Sequence, residues 1–310
     1  MIVAIAAVIA GVGLLAVASD QFVVGAARIA SLRNLPPLIV GVVIIGFGTS
    51  SPELLVSVLA AIDDEPGVAI GNVVGSNLAN LTLLMGVGAA IVTLHVDSRT
   101  VRREATLVIL ATVGFGIAVQ GGGIERWEGV LLLIAMAAVL VFVTRGDPGD
   151  PIDELAIAAP GRTGMGVESV RVVLGLVGTV AGAQALLFGA LELADRAGLS
   201  AGFVGATLVA VGTSLPELVT VIQSARRGEP DLIVGNLLGS NLFNALAVGG
   251  AIGIVGGVGI DNPSITTIAV IAAAAAAVVT GVAMRTGLRV SRREGIALVL
   301  VYVALVPVLA

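Results

Sequence analysis

The chain has 310 residues, 57% of them hydrophobic and only 12% charged, with a formal charge of −5. A water-soluble domain carries roughly twice that share of charge, so lipid is the expected solvent for most of this surface. The lack of cysteine excludes disulfides, thiolate metal sites and cysteine nucleophiles, and sixteen basic residues, all arginine, in an acidic chain leave no basic patch for nucleic acid.

From its start, Met1 to Ser19 is uncharged and apolar and lacks the basic leader of a cleaved signal peptide, so it reads as a retained first span. Further spans are expected over 38–61, 68–92, 104–120 and 128–144, and then over 169–193, 203–224, 231–256, 264–284 and 295–310. Each has about the 17–25 residues that cross a hydrocarbon core of ~30 Å as a helix. The pattern predicts an all-α membrane protein of ten transmembrane helices. Five belong to a unit over 1–144 and five to a unit over 169–310, with a solvated cytoplasmic linker over 145–168.

Arginine placement orients these spans. With the N-terminus outside and alternating connections, the inner loops collect fourteen of the sixteen arginines, and only Arg126 and Arg196 fall outside. That bias predicts a multi-pass protein of the cell membrane with both termini outside. An odd number of helices per unit makes the second unit enter from the opposite side, so the two are inverted. His95, beside Asp97, reads as an interfacial residue of an inner loop, and Trp127 as an interfacial anchor.

One stretch occurs twice, 164 residues apart. Gly48-Thr49-Ser50-Ser51-Pro52-Glu53-Leu54 returns as Gly212-Thr213-Ser214-Leu215-Pro216-Glu217-Leu218. Downstream, Gly71-Asn72, Gly75-Ser76-Asn77-Leu78 and Asn80 return as Gly235-Asn236, Gly239-Ser240-Asn241-Leu242 and Asn244, without a gap. Polar residues carried in register through apolar sequence point to an internal duplication whose copies build one site.

The motif chemistry is specific. Pro52 and Pro216 lie inside spans, lack an N–H and clash with the carbonyl four residues earlier, which belongs to Gly48 and Gly212. A helix break at Gly-Thr-Ser is expected to free carbonyls such as those of Gly46 and Ala210, tolerated in lipid only where something polar meets them. Thr49 and Glu53 share a helix face with Ser50 alongside, and Asn72, Ser76 and Asn80 recur every fourth residue as one stripe. The second copy supplies Thr213, Ser214, Glu217, Asn236, Ser240 and Asn244. Glu53 and Glu217 are the acidic residues expected near mid-span, where each costs about 3 kcal/mol to insert. A cage of carboxylate, hydroxyl, amide and carbonyl oxygens, free of sulfur, imidazole and basic groups, suits Na⁺ or Ca²⁺ rather than transition metals.

On these motifs the sequence resembles the cation/calcium exchanger superfamily, especially its prokaryotic Na⁺/Ca²⁺ exchangers. The resemblance implies a Na⁺-driven Ca²⁺ antiporter working by alternating access, with both ions as transported substrates and no cofactor. By motif position it implies Thr49, Ser50, Glu53, Ser76 and Asn80 as ligands, with Thr213, Ser214, Glu217, Ser240 and Asn244 and the carbonyls of Gly46 and Ala210. Many relatives carry aspartate where this chain has Asn244, which leaves a Ca²⁺/H⁺ or other cation antiporter open. A passive cation channel is the weaker alternative. An intramembrane hydrolase is disfavoured, because Ser50 and Ser214 lack a histidine or lysine partner. Beyond ions and lipid, no obligate protein partner is expected.

Since the native chain has no cysteine, single cysteines test the orientation cleanly. An impermeant maleimide added from outside should label position 63 and fail to label position 150. The reverse pattern inverts the topology.

Overall fold

The computed structural model describes residues 1–32, 49–95, 98–120, 122–145, 164–228, 230–255 and 263–306. Proline sets much of the segmentation. Pro52, Pro66 and Pro216 occupy the first or second position of their helices, and Pro230 and Pro263 open theirs, places where a missing N–H costs no hydrogen bond. Gly198 and Gly228 end two helices with φ of 65° and 74°, a left-handed conformation that suits glycine. Ser291 and Glu294 form a reciprocal capping box at the start of the last one.

Eleven helices result among the described residues. They are α1 (Ile2–Leu32), α2 (Ser51–Ile62), α3 (Pro66–Ile91), α4 (Ser98–Val119), α5 (Arg126–Arg145) and α6 (Met165–Ala197), followed by α7 (201–213), α8 (Leu215–Arg227), α9 (230–255), α10 (Pro263–Gly287) and α11 (Arg292–Leu305). A two-residue antiparallel ladder pairs Leu94 with Val290 and His95 with Arg289, tying the end of α3 to the start of α11. His95 is thus an exposed ladder residue.

The bounds differ from the sequence expectation in informative ways. Asp20 does not end α1, which runs on to Leu32. The helix expected from 169 starts at Met165, so Glu168 is a buried helix residue rather than loop, held by Arg28 Nη1 at 3.1 Å and Arg171 Nε at 3.3 Å. The span expected over 203–224 is two helices, α7 and α8, bent by 45° at Ser214. The break expected at Gly48 lies outside the described residues, as do Gly46 and most of the 145–168 connection. Among the described residues four helices are long and apolar enough to cross a membrane, five if the bent pair counts as one span. The architecture is therefore that of a helical membrane protein.

The outside of the bundle is apolar: Val17, Leu110, Ile117, Phe142, Phe188 and Val303 are all exposed. The inside holds Glu53, Asn72, Ser76, Asn80, Glu217 and Asn244, all at 0% exposure. A protein in water would invert this distribution. The apolar windows of α3 and α9 are 78% buried against 24% for the start of α1, so the helices carrying the asparagine stripes are central and α1 is peripheral.

Packing follows the duplication. The last turns of α3 pack on α11 and the last turns of α9 on α5, one contact seen twice with the copies exchanged, while α1 lies along α6 and α4 along α10. Glycine sets the tightest approaches. A Cβ on Gly75 would meet the Ala206 carbonyl group, whose carbon lies 2.6 Å away. Gly75→Val should accordingly destabilise by about 1–3 kcal/mol and lower the melting temperature in detergent. Gly13 has nothing within 4 Å of its Cβ position, and Gly13→Ala should leave melting unchanged.

Candidate functional site

Two short helices bring the duplicated motifs together. Glu53 stands in the first turn of α2 and Glu217 in the first turn of α8, where aligned N–H groups favour negative charge. Just before each helix, Ser50 (φ −91°, ψ 10°) and Ser214 (φ −82°, ψ 10°) share one non-helical conformation. This turns each hydroxyl across to the other copy. Ser214 Oγ donates to Glu53 Oε1 at 2.9 Å, and Ser50 Oγ donates to Glu217 Oε1 at 3.2 Å. Thr49 also hydrogen-bonds Glu217.

The stripes on α3 and α9 close the site. Asn72 donates through Nδ2 to the Glu53 carbonyl at 3.3 Å and to Ser57 Oγ at 2.9 Å, and its Oδ1 lies 3.1 Å from the Thr213 hydroxyl. Ser76 Oγ reaches the Ala210 carbonyl at 3.5 Å. Asn80 and Asn244, equivalent in the two copies, each open a five-residue stretch of widened, π-type helix, over Asn80–Leu84 and Asn244–Val248. Such turns loosen the backbone ladder and recur at functional sites. The widened stretch of α9 packs against both α2 and α3, and Asn241 bridges the copies by accepting from Asn77 at 3.4 Å and from Asn80 at 3.1 Å.

What remains unpartnered shows what the site can do. Glu53 Oε2, Glu217 Oε2, Asn80 Oδ1, Ser240 Oγ and both amide atoms of Asn244 are buried without a hydrogen-bond partner among the described residues. Buried polar atoms are nearly always satisfied, so this concentration points to a partner beyond the described residues. Five of these six atoms can accept a cation through oxygen. Among the described residues no group of three or more His, Asp or Glu gathers anywhere. The site instead offers two carboxylates amid neutral oxygens, a donor set for hard cations.

One expectation needs correction. The break at Ser214 does not bare the Ala210 carbonyl, which accepts the Ser214 N–H at 3.1 Å and also lies 3.1 Å from the Thr213 hydroxyl. The helix loses its ladder one to three residues later, because Ser214 is the first residue to leave helical geometry. The asparagines divide their work: Asn72 is saturated by protein, whereas the Asn244 side chain has no hydrogen-bond partner among the described residues. The bridging pair Asn77 and Asn241 was legible only as part of the repeat, because its role depends on how α3 crosses α9. Gly46 falls outside the described residues.

This geometry coincides with family-wide similarity. The profile of the family described as "Sodium/calcium exchanger protein" matches residues 3–145 and 169–309. The chain belongs to the sodium/calcium exchanger family. The inner membrane protein YrbG of Escherichia coli is 32% identical over 80% of this chain and 78% of its own. The sodium/calcium exchanger MaX1 of Methanosarcina acetivorans is 28% identical over 94% of each chain. In three dimensions the sodium–calcium exchanger NCX_Mj, soaked with Na⁺ and Sr²⁺, superposes with a TM-score of 0.68 at 27% identity, over 98% of this chain and 99% of that one. Exchange of cations, Ca²⁺ among them, is the activity this family membership supports.

Replacing either carboxylate by its amide keeps an oxygen that can accept the crossed serine bond, so the fold should survive. Glu53→Gln and Glu217→Gln are each expected to purify with normal melting. Each should lose Ca²⁺ exchange by on the order of 100-fold, the scale of leaving a buried charge uncompensated. Near-normal exchange in either variant removes that residue from the site.

Proposed function

We propose that this protein is a secondary cation antiporter of the cell membrane that exchanges Ca²⁺ for Na⁺ by alternating access, binding the ions between two inverted repeats. The reading rests on one observation above all. The two buried carboxylates are each held on one oxygen by a serine of the other copy, and each keeps a second oxygen without a hydrogen-bond partner among the described residues. The ligand set is Glu53, Thr49, Ser50, Ser76 and Asn80 with Glu217, Thr213, Ser214, Ser240 and Asn244, completed by the carbonyls of Gly46 and Ala210. The Ala210 oxygen is shared with protein donors.

In this reading α7 and α8 form one broken span, and α2 is the second half of its counterpart, which brings the count to ten. The five-helix units 1–144 and 169–310 are then joined by a cytoplasmic linker that gives way to α6, and both termini lie outside. The exchanged contacts of α3 with α11 and of α9 with α5 support such a two-fold relation. Half-helices meeting near mid-membrane are the arrangement of alternating-access carriers rather than of open pores. The ions are the substrates, and no cofactor enters.

Charge sets the stoichiometry. With Asn244 neutral, Glu53 and Glu217 give the cage a charge of −2. One Ca²⁺ or two Na⁺ neutralise it, and a third Na⁺ would leave net positive charge in a medium of low dielectric. Exchange of two Na⁺ per Ca²⁺ is therefore expected to be nearly insensitive to membrane voltage. The test is ⁴⁵Ca²⁺ uptake into proteoliposomes under imposed Na⁺, K⁺ or H⁺ gradients, repeated at several potentials clamped with K⁺ and valinomycin. Uptake driven by Na⁺, saturating and flat with voltage, supports the reading. Uptake driven by H⁺ makes the protein a Ca²⁺/H⁺ antiporter, and flux without a counter-ion makes it a channel. Steep voltage dependence with a Na⁺ Hill coefficient near three refutes the two-to-one exchange.

A further inference from the structure

The two copies match at the ion-facing positions, but the residues behind them do not. On α2, Ser57 accepts from Asn72 at 2.9 Å, and 164 residues on the same place is Val221. Asn236, the counterpart of Asn72, has a buried Nδ2 with no hydrogen-bond partner among the described residues. The widened turn opened by Asn80 is tied from outside, because Thr280 on α10 donates to the Leu81 carbonyl at 3.2 Å. The counterpart of Thr280 is Gly116, which has no hydroxyl to offer the second turn. Within the first turn Thr82 bonds back to the Leu78 carbonyl at 2.6 Å, whereas Leu246 stands at the equivalent place. These three polar supports serve the first copy, and each has an apolar or glycine counterpart in the second; Thr220, which bonds the Pro216 carbonyl at 3.0 Å where the first copy has Val56, runs the other way.

Of these, the Ser57 contact reaches furthest into the site. An asparagine amide has two N–H donors and one carbonyl acceptor available for strong bonds. Those of Asn72 go to Ser57, the Glu53 main chain and the Thr213 hydroxyl. When the Thr213 proton points at Asn72, the hydroxyl lone pairs are left for a cation. Without Ser57 one amide donor is orphaned in a buried position, and the side chain can turn to seek another partner. Both Glu53 and Thr213 then lose their alignment.

We propose that Ser57 is a positioning residue for cation binding. Acting through Asn72, it holds the first-copy half of the site rigid, while Val221 leaves the second-copy half, with Asn236 and Asn244, compliant. Rigid ligands bind an ion with less ordering cost, and compliant ones let the shell change when one ion replaces another. The asymmetry thus divides one pseudo-symmetric site into an anchor and an adjustable side. The proposal rests on the cation-exchange reading above.

Four variants test it: Ser57→Val, the conservative Ser57→Thr, Val221→Ser, and the double exchange Ser57→Val with Val221→Ser. Each is assayed for KM and kcat of Na⁺-driven ⁴⁵Ca²⁺ uptake, and for melting in detergent with and without Ca²⁺. Ser57→Val should raise the KM for Ca²⁺ about tenfold, the scale of one orphaned buried donor. Its kcat should hold, its ion-free melting should fall by a few degrees because the orphaned donor is also present without the ion, and its Ca²⁺-induced melting shift should shrink. Ser57→Thr should behave like the unmodified protein. Val221→Ser should lower both KM and kcat by stiffening the adjustable side, and the double exchange should bring KM back toward the original. An unchanged KM in Ser57→Val, a Ser57→Thr as impaired as Ser57→Val, or a double exchange no better than Ser57→Val overturns the proposal. Should the unmodified protein take up no Ca²⁺, the exchange reading has failed instead, and the melting shifts with Ca²⁺ or Na⁺ still rank the variants and decide the matter.

Discussion

Two carboxylates with no solvent exposure must be kept in an apolar helical bundle, and an ionised group there costs several kcal/mol unless it is paired and hydrogen-bonded. The protein answers this cost only halfway. Each carboxylate sits at a helix start and accepts one serine hydroxyl from the opposite copy. It receives no arginine: among the described residues the buried acid with basic partners is Glu168, at the far end of α6. A fully satisfied pair would be inert, whereas a half-satisfied pair has a standing affinity for a small cation. Much of the fold exists to maintain that incomplete state.

Bringing each glutamate within 2.9–3.2 Å of the other copy's serine requires backbones to approach closely. Glycine on α3 lets α7 press against it, with Gly71 meeting Gly202 and Ala206, and Gly75 meeting Ala206. Without a hydrophobic driving force in lipid, such small-residue contacts and interhelical hydrogen bonds carry the association. The two outer helices α1 and α6 use the same device on each other, through Gly11 and Gly182. Proline then opens the helices that carry the carboxylates, and widened turns begin at Asn80 and Asn244. These devices together bring the polar residues of two related halves face to face.

Exchange of one ion for another asks for more than symmetry. A perfectly two-fold site would respond equally on both sides, with no fixed reference against which a ligand could move. The supports at Ser57, Thr82 and Thr280, and their counterparts Val221, Leu246 and Gly116, break that equivalence without touching the ion-facing residues. Asn244, by contrast, keeps the copies alike, with one glutamate and one asparagine each.

Much of this was legible in the chain itself. Composition announced the lipid environment, because backbone helices with apolar faces leave little else for 57% hydrophobic residues to do. The 164-residue repeat named Glu53, Glu217, their neighbouring serines and the asparagine stripes, since only a duplicated function preserves polar residues in register through apolar sequence. Proline and glycine spacing foretold a break near Ser214. Three things required the tertiary structure. The serines cross to the opposite glutamate, a pairing set by how the copies face each other and invisible to spacing within one copy. The Ala210 carbonyl keeps a protein partner, because where a hydrogen-bond ladder fails depends on backbone angles rather than on the proline's position alone. Glu168, Ser57 and Thr280 acquire their roles only through other helices, on α1, α3 and the widened turn of α3. Local pattern determines which groups can form a site, but long-range packing decides which of them are already satisfied, and the unsatisfied ones are left for the ion.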